Sequence, residues 1–366
     1  MFIVISVSLL AILLTYLESI GKLRNGMFLG FVLVTFLGCV HYNYGNDYMD
    51  YYRMYNDIIR IPLKWNNLVQ NIYGHEPGWV VMNHFFSHCG GFFMMVAIIN
   101  IVINSIFFSF IRDNVNIEYW GLSMMIYLMS SSLYVVNFSL MRQGLTIALF
   151  VFSWKFIKKK KFLPALVVIL VASTIHSSAQ VLIPFAFFGF LPFGKRLISV
   201  FLVLLIIILY LNKDLLTDLY SRIVSIGELA STQSLEYYEQ NNDTTIKYGV
   251  GFYINMIPFI IAMWGLSFRG SLIDNQKKML ITLSMFSFVI APFGQILPIV
   301  GRFGMYFNAF GVAAIPYIYS LLPNKRLYSL LISVYLMMLV YGYISFFLSP
   351  IWIQSYSTFH SIFEVL

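Results

Sequence analysis

The feature that most constrains the fold is a pair of apolar segments joined by four consecutive lysines that begin at Lys158. The first segment (142–157) starts at Arg142, and the second (162–176) ends at His176. As helices, each would be roughly 20–25 Å long, which is most of the thickness of a bilayer core. A helical hairpin of this kind places Arg142 and His176 on the same side of the membrane, opposite the lysines.

Charge bias predicts which side that is. Lysine-rich turns stay in the cytoplasm, so Arg142 and His176 are expected at the outer face, where ionisable groups at the membrane edge are often functional. Arginine suits bidentate binding of phosphate, and histidine exchanges protons near neutral pH. The alternatives are an arginine that only extends its charge to the interface and a core histidine held by neighbouring serines.

Composition identifies the class of protein. Of the 366 residues, 60% are hydrophobic and 10% are charged, whereas soluble domains contain about 25% charged residues. The apolar runs are continuous, which predicts membrane-spanning helices. The net charge of +8 does not indicate nucleic acid as a partner, because most Lys and Arg fall in short turns expected inside. Cys39 and Cys89 lie in apolar surroundings and predict no disulfide framework.

The chain is predicted to be a single all-α polytopic membrane domain (1–366) with about 11–12 transmembrane helices. The predicted spans are 2–17, 27–41, 92–111, 119–136, 142–157, 162–176, 179–193, 197–211, 251–268, 279–297, 303–322 and 327–348. Two larger polar loops, 41–78 and 212–250, are expected outside. Residues 76–91 are too short and polar for a full span, and their start at Glu76-Pro77-Gly78 predicts a re-entrant or interfacial helix.

This topology brings most of the ionisable candidates to the external side: Asp47, Arg53, Glu76, Arg142, His176 and Arg302. Arg142 and Arg302 at the mouth of an apolar bundle would fit a diphosphate whose lipid tail lies between helices. Asp47 or Glu76 could orient His176 or act as the base itself, although Asp47 could instead cap a helix or a turn. Arg302 begins its span, so interfacial placement alone would also explain it.

His84 and His88 share one helix face at i, i+4 spacing, which is a possible metal pair. No HExxH motif accompanies them, and a pair of this kind is more often structural. We therefore predict no metal site.

The candidates fall in short elements that resemble those of EpsG-like proteins, a branch of the Wzy-type polysaccharide and O-antigen polymerases. Residues 44–47 with Tyr51 resemble the G-[TN]-D-x3-Y element, residues 76–79 the E-x-G element, and residues 141–143 with Ala148 the R-Q-x3/4-A element. His176 to Ala179 resembles H-x-S-A, and Arg302 with Tyr306-Phe307 resembles R-[YF]-x2-Y-F. The order and spacing hold from about residue 41 to residue 307.

Two positions depart from the family pattern. The family usually has an arginine shortly before the Gly-Asp element, and His41 is the nearest candidate here for that phosphate-binding role. Thr146 replaces a customary alanine after Arg142-Gln143.

The resemblance implies a metal-independent glycosyltransferase without a cofactor, located in the bacterial cytoplasmic (inner) membrane with its site on the periplasmic or external side. Such an enzyme transfers a glycan from a polyprenyl-diphosphate donor to a lipid-linked acceptor, and inversion at the anomeric carbon is expected. The catalytic candidates are His176, Asp47 and Glu76. The substrate-binding candidates are Arg142, Gln143, Arg302, His41, Tyr51, Arg53 and Tyr306. Membrane lipid and a chain-length regulator protein are further candidate partners.

Two other classes are the alternatives. A flippase for lipid-linked oligosaccharides should carry charges along a central cavity and show paired half-domains, and the sequence shows neither. A membrane acyltransferase that uses His176 would take a thioester donor, which favours a cytoplasmic site. The sidedness of His176 therefore separates the acyltransferase from the polymerase.

Overall fold

The computed structural model describes residues 1–191, 253–254, 256–290 and 298–365. Its helices in the first half are α1 (Phe2–Ser19), α2 (Gly26–Val40), α3 (Tyr48–Arg60), α4 (Trp65–Val69), α5 (Pro77–His88), α6 (Gly91–Asn114), α7 (Trp120–Met129), α8 (Met141–Ile157) and α9 (Phe162–Ile175). After a 3₁₀ segment (Ser177–Phe190) come α10 (Ile257–Phe268), α11 (Asn275–Ile290), α12 (Pro298–Ser320), α13 (Lys325–Leu348) and α14 (Ile353–Ser357). The described elements also include two short strands, β1 (His41–Tyr42) and β2 (His360–Ser361), and four short 3₁₀ segments.

The predicted all-α polytopic class is confirmed. Within the described residues, α1, α6 and α13 are long and apolar enough to cross a membrane by length and composition, and several shorter helices are also apolar. Most described helices coincide with predicted spans within a few residues. The predicted span 197–211 and loop 212–250 lie outside the described residues, so the number of spans and the single domain stay predictions.

The predicted hairpin is formed by α8 and α9, and its lysine turn meets other basic segments at one end of the bundle. Asn114, at the end of α6, is their common partner. Its side-chain oxygen accepts hydrogen bonds from Trp154 Nε1 at 2.9 Å and Lys158 Nζ at 3.2 Å. Its carbonyl oxygen accepts from Lys277 Nζ at 2.5 Å, at the start of α11. The basic turns that charge bias places inside therefore lie together.

The prediction of a continuous span over 119–136 is wrong. Helix α7 ends at Met129, and a turn with a 3₁₀ segment (Val135–Phe138) follows. A serine run follows Met129, and its hydroxyls bond to Asn308 on α12, whose Nδ2 donates to Ser130 Oγ and Ser132 Oγ. Ser130 and Ser132 share a hydrogen bond of 2.9 Å between their Oγ atoms. Non-helical backbone is tolerated at membrane depth where protein surrounds it.

The predicted span 179–193 is a 3₁₀ segment rather than an α-helix over its described part. A 3₁₀ helix rises about 2.0 Å per residue, so the 14 residues extend about 28 Å. That length is close to the thickness of a bilayer core. As a 3₁₀ helix, this segment therefore covers the thickness of the bilayer core with fewer residues than an α-helix would need.

The polar loop 41–78 is folded. Helix α3 buries one face through Tyr48, Tyr51, Tyr55 and Ile58, at helical spacing. Helix α5 has 12 residues and Pro77 in its first turn. At about 18 Å it is too short to cross a bilayer, which fits the prediction that residues 76–91 are not a full span.

Residues 351–361 fold back onto the segment that precedes Asp47, a contact that no sequence pattern predicts. Strand β2 pairs antiparallel with β1, with His41 opposite Ser361. The Gly45 N–H donates to the Ser355 carbonyl at 3.1 Å. The Asn46 side chain donates to the Ile351 carbonyl at 3.2 Å. The C-terminal tail therefore fixes the loop that carries Asp47.

Gly45 is required by this loop for two separate reasons. Its φ is +108°, and a Cβ there would lie 2.6 Å from the Phe138 carbonyl oxygen. Gly45→Ala is therefore expected to destabilise the fold by more than the roughly 1–2 kcal/mol that left-handed backbone costs. Gly21→Ala is the matched control, because Gly21 has φ +72° with nothing near its Cβ position. Equal losses of thermal midpoint in the two variants would contradict the close contact.

Candidate active site

Glu76, immediately before α5, joins the two ends of the α8–α9 hairpin. Its Oε2 accepts a hydrogen bond from Arg142 Nη1 at 2.6 Å. Its Oε1 accepts from the Ser177 N–H at 3.0 Å and lies 3.4 Å from His176 Nδ1. The side chains of Arg142, Glu76 and His176 are each 18–19% exposed. Three predicted site residues from distant parts of the chain thus form one cluster that solvent can reach.

Gly78 explains why Glu76 reaches the end of α9. A Cβ on Gly78 would overlap Thr174 Oγ1 and lie 2.8 Å from the Thr174 carbonyl oxygen. The first turn of α5 therefore packs directly against the last turn of α9. This close approach carries Glu76 to His176 and to the Ser177 N–H, which gives the E-x-G spacing a structural reason.

The guanidinium of Arg142 lies against a pair of aromatic rings, Tyr51 and Trp79, which contact each other edge to face with centroids 5.7 Å apart. Its Cζ is 5.8 Å from the centroid of the Tyr51 ring and 5.8 Å from that of Trp79, within cation–π range. Arg142 Nε is buried and has no hydrogen-bond partner among the described residues. Buried N–H groups are normally paired, so this donor is a polar group that the described residues leave unsatisfied.

Electrostatics keep Glu76 ionised. Burial alone would raise the pKa of the Glu76 carboxyl, but the hydrogen bond with His176, the charge of Arg142 and the Ser177 N–H hold it well below its usual range. An ionised carboxylate only accepts hydrogen bonds. In this contact His176 Nδ1 is therefore the donor, and in the neutral imidazole Nε2 is the acceptor nitrogen.

Asp47 stands at the capping position of α3, but its side chain makes no capping hydrogen bond. Its backbone N–H donates to Ser139 Oγ at 3.2 Å. Burial raises the pKa of Asp47 above its usual range, although the charges of Arg302 and Arg142 oppose that rise. Both arginines are thus close enough to act on this carboxyl, which associates Asp47 and Arg302 with the cluster.

Gln143 and Tyr306 lie beneath the cluster and are buried. Gln143 Nε2 donates to the Arg302 carbonyl at 3.0 Å. The Tyr306 hydroxyl is 2.8 Å from Ser178 Oγ and 2.9 Å from Thr146 Oγ1. These bonds join α8, the 3₁₀ segment and α12. Both residues were predicted to contact substrate, yet in the structure they position their neighbours, and Thr146 supplies a hydroxyl that alanine would lack.

His41, Arg53 and Tyr51 do not occupy the places expected of substrate contacts. His41 is fully buried between the rings of Tyr48 and Phe138, and its Nδ1 bonds to the Gly38 carbonyl at 2.6 Å. Arg53 is 73% exposed and pairs with Asp50 on the surface of α3. Tyr51 is buried beneath the Arg142 guanidinium.

Sequence reasoning missed Trp79, Ser139 and Ser177 as parts of the site. Trp79 directly follows Gly78, so its place in the E-x-G element was the available signal. The Ser177 N–H is a backbone donor just after α9. Ser139 Oγ accepts a hydrogen bond from the Asp47 N–H, although the two residues are far apart in the sequence. No sequence pattern marks either of these contacts.

Comparison with known proteins gives one clear result. The model of the EpsG family matches residues 23–358, a range that includes every residue of the cluster. No curated protein and no solved structure matches the chain.

Proposed function

Because this chain belongs to the EpsG family, we propose that this membrane protein of polysaccharide biosynthesis is a repeat-unit polymerase. It transfers a glycan from a polyprenyl-diphosphate donor to a lipid-linked acceptor at the outer face of the bacterial cytoplasmic (inner) membrane. The product is an O-antigen, a capsule or an exopolysaccharide. The observation that carries the proposal is the partly exposed Arg142 guanidinium, held against the Tyr51 and Trp79 rings beside the His176–Glu76 pair.

The two arginines bind the donor in this mechanism. Arg142 and Arg302 hold the diphosphate oxygens through charge-assisted hydrogen bonds. When the bond between the anomeric carbon and the diphosphate oxygen breaks, the diphosphate leaves with the electron pair. The arginines stabilise that negative charge, so the mechanism requires no metal ion.

His176 is the base in this mechanism. Its Nε2 takes the proton of the acceptor hydroxyl while the hydroxyl oxygen bonds to the anomeric carbon. Glu76 holds Nδ1 and orients the ring, since three partners already occupy its carboxylate. Attack opposite the leaving diphosphate inverts the anomeric carbon. Asp47 is the runner-up base, because burial raises the pKa of its carboxyl.

Reconstitution tests the proposal. Purified protein receives lipid-linked repeat units extracted from cells that lack it, with a metal chelator present, and the products are separated on a gel. We expect a ladder of glycans that differ by whole repeat units and remain linked to lipid diphosphate. Repeat units that stay single, or that move to a different acceptor, would contradict the proposal.

Gly78→Ala should disable the site without removing any of its functional groups. The added methyl group separates the first turn of α5 from Thr174 and so withdraws Glu76 from His176. We expect ladder formation to fall by about 10- to 100-fold, the cost of a misplaced group. Gly270→Ala is the control, since a Cβ there meets no atom within 4 Å. Equal rates in both variants would show that the close packing of α5 on α9 has no role.

The sidedness of the site can be measured with single cysteines in a Cys39→Ser, Cys89→Ser background. Gln70→Cys lies in the exposed segment after α4, and Lys159→Cys in the exposed hairpin turn. An impermeant maleimide should label Gln70→Cys in intact spheroplasts but label Lys159→Cys only after permeabilisation, because basic turns stay inside. External labelling of Lys159→Cys would place His176 in the cytoplasm and favour the acyltransferase alternative.

A further inference from the structure

A cavity of about 510 Å³ separates α12 from α13. On α12 its wall includes Gly301, Gly304, Met305 and Asn308. On α13 its wall includes Tyr335, Met338, Leu339 and Gly342. Each set has i, i+3, i+4, i+7 spacing, which is one face of a helix. Two helix faces that would ordinarily pack together thus enclose open space.

Glycine accounts for much of this space. Small residues usually let membrane helices approach closely, but a Cβ on Gly342 would meet no atom within 4 Å. Gly342 is also exposed, so the cavity reaches the surface of α13 within its apolar span. Protein interiors contain few voids of this size, and this one opens where lipid surrounds the helix. The cavity is therefore accessible to a hydrocarbon chain.

Much of the cavity wall is apolar and adaptable. Met129, Phe288, Met305, Met338 and Leu339 contribute to it, and methionine side chains adjust to irregular shapes. This lining suits a long, branched hydrocarbon better than a sugar.

Three polar residues of the wall are paired with one another. Asn308 Nδ2 donates to Ser130 Oγ at 3.2 Å and to Ser132 Oγ at 2.5 Å, and the two hydroxyls share a further bond. Groups that satisfy one another do not require the hydroxyls of a sugar as partners.

Arg302 connects the cavity to the active site. It lies in the cavity wall, and its charge acts on Asp47. It is the one member of the cluster around Glu76 that lines the cavity within the described structure. A lipid whose phosphate lay at Arg302 could extend its tail between α12 and α13. The phosphate would then meet a cation and the tail an apolar space.

We propose that this cavity binds the isoprenoid segment next to the phosphates of the donor lipid, with the diphosphate at Arg302. The inference rests on the proposed function for the identity of the lipid. It adds the path of the tail, which leaves the active site between α12 and α13.

Photolabelling tests the proposal in nanodiscs that contain the full chain. The probe is a polyprenyl phosphate with a diazirine on an isoprene unit near the phosphate, and the labelled peptides are identified by mass spectrometry. Labelling is expected on the peptides that contain Met305, Met338 and Leu339. Unlabelled polyprenyl phosphate should compete, whereas phosphatidylglycerol should not.

Gly342→Leu provides the critical variant. The leucine enters open space and raises helix propensity, so the fold should persist, which the thermal midpoint checks. Labelling should fall by more than half in Gly342→Leu and stay unchanged in Gly270→Leu, a glycine with equally open space. Unchanged labelling in Gly342→Leu, or equal competition by phosphatidylglycerol, would overturn the proposal. Polymerisation is measured separately. If the protein forms ladders but is not labelled, the cavity proposal fails and the polymerase proposal stands. If it is labelled but forms no ladders, the cavity proposal is supported and the polymerase proposal fails.

Discussion

Arg142→Lys is expected to lower the rate of polymerisation by about 10²–10³-fold, the usual cost of losing one donor to a developing negative charge. Lysine keeps a positive charge opposite Glu76, so the fold should survive. It cannot present a planar group to the Tyr51 and Trp79 rings or offer several N–H donors to one phosphate. The measurement is the rate of ladder growth with purified protein, together with the thermal midpoint.

Arg60→Lys is the matched control for this change. Arg60 lies at the end of α3 and pairs with Asp57 at 3.4 Å, with both side chains more than 70% exposed. Exposed pairs of this kind contribute little, so Arg60→Lys should polymerise normally. A normal rate for Arg142→Lys as well would show that a point charge at the interface is sufficient and that no guanidinium clamp operates there.

His176→Gln is expected to lower the turnover rate by about 10²–10⁴-fold, the range for loss of a general base. The glutamine amide can still donate a hydrogen bond to Glu76, but it cannot take the proton of an acceptor hydroxyl. Donor binding should be nearly unchanged, because it depends on the arginines. If His176→Gln forms ladders at the normal rate while Asp47→Asn is inactive, the base is Asp47.

The pH dependence separates the candidates further. The pKa of Glu76 is lowered in the folded protein, so its contribution to stability is complete above the ordinary carboxyl range and is lost only as the pH falls through the lower folded value. Loss of activity in mild acid therefore cannot come from Glu76. Burial raises the pKa of Asp47. If activity is lost in mild acid and that loss is absent in Asp47→Asn, the base is Asp47. If the loss is instead absent in His176→Gln, the base is His176.

The hairpin and the site could be predicted from sequence because the signals are local. Continuous hydropathy predicted the ends of α8 and α9, and the lysine turn predicted which end of the hairpin lies inside. The Pro77 helix start likewise predicted the beginning of α5, and the shortness and polarity of residues 76–91 excluded a full span. Together these placed Arg142, Glu76 and His176 on one side, and their contacts in the structure agree with that geometry.

Other features depend on contacts between distant segments and could not be predicted. Helix α7 ends early because Ser130 and Ser132 have a partner in Asn308 on α12. The tail reaches Gly45 through a backbone bond with Ser355, and backbone bonds have no sequence signature. Tyr306 was predicted to contact substrate because it belongs to a motif. A motif does not show whether a side chain is buried, and packing buries this one.

In the proposed mechanism Arg142 binds the donor diphosphate and His176 moves the proton. Equilibrium binding of a phosphonate donor analogue, which cannot transfer its glycan, measures the first role without the second. We predict that Arg142→Lys raises Kd by about 10- to 100-fold, which is about 1.4–2.8 kcal/mol, and that His176→Gln leaves Kd unchanged. Wild-type affinity in Arg142→Lys, or lost affinity in His176→Gln, would contradict this assignment of roles.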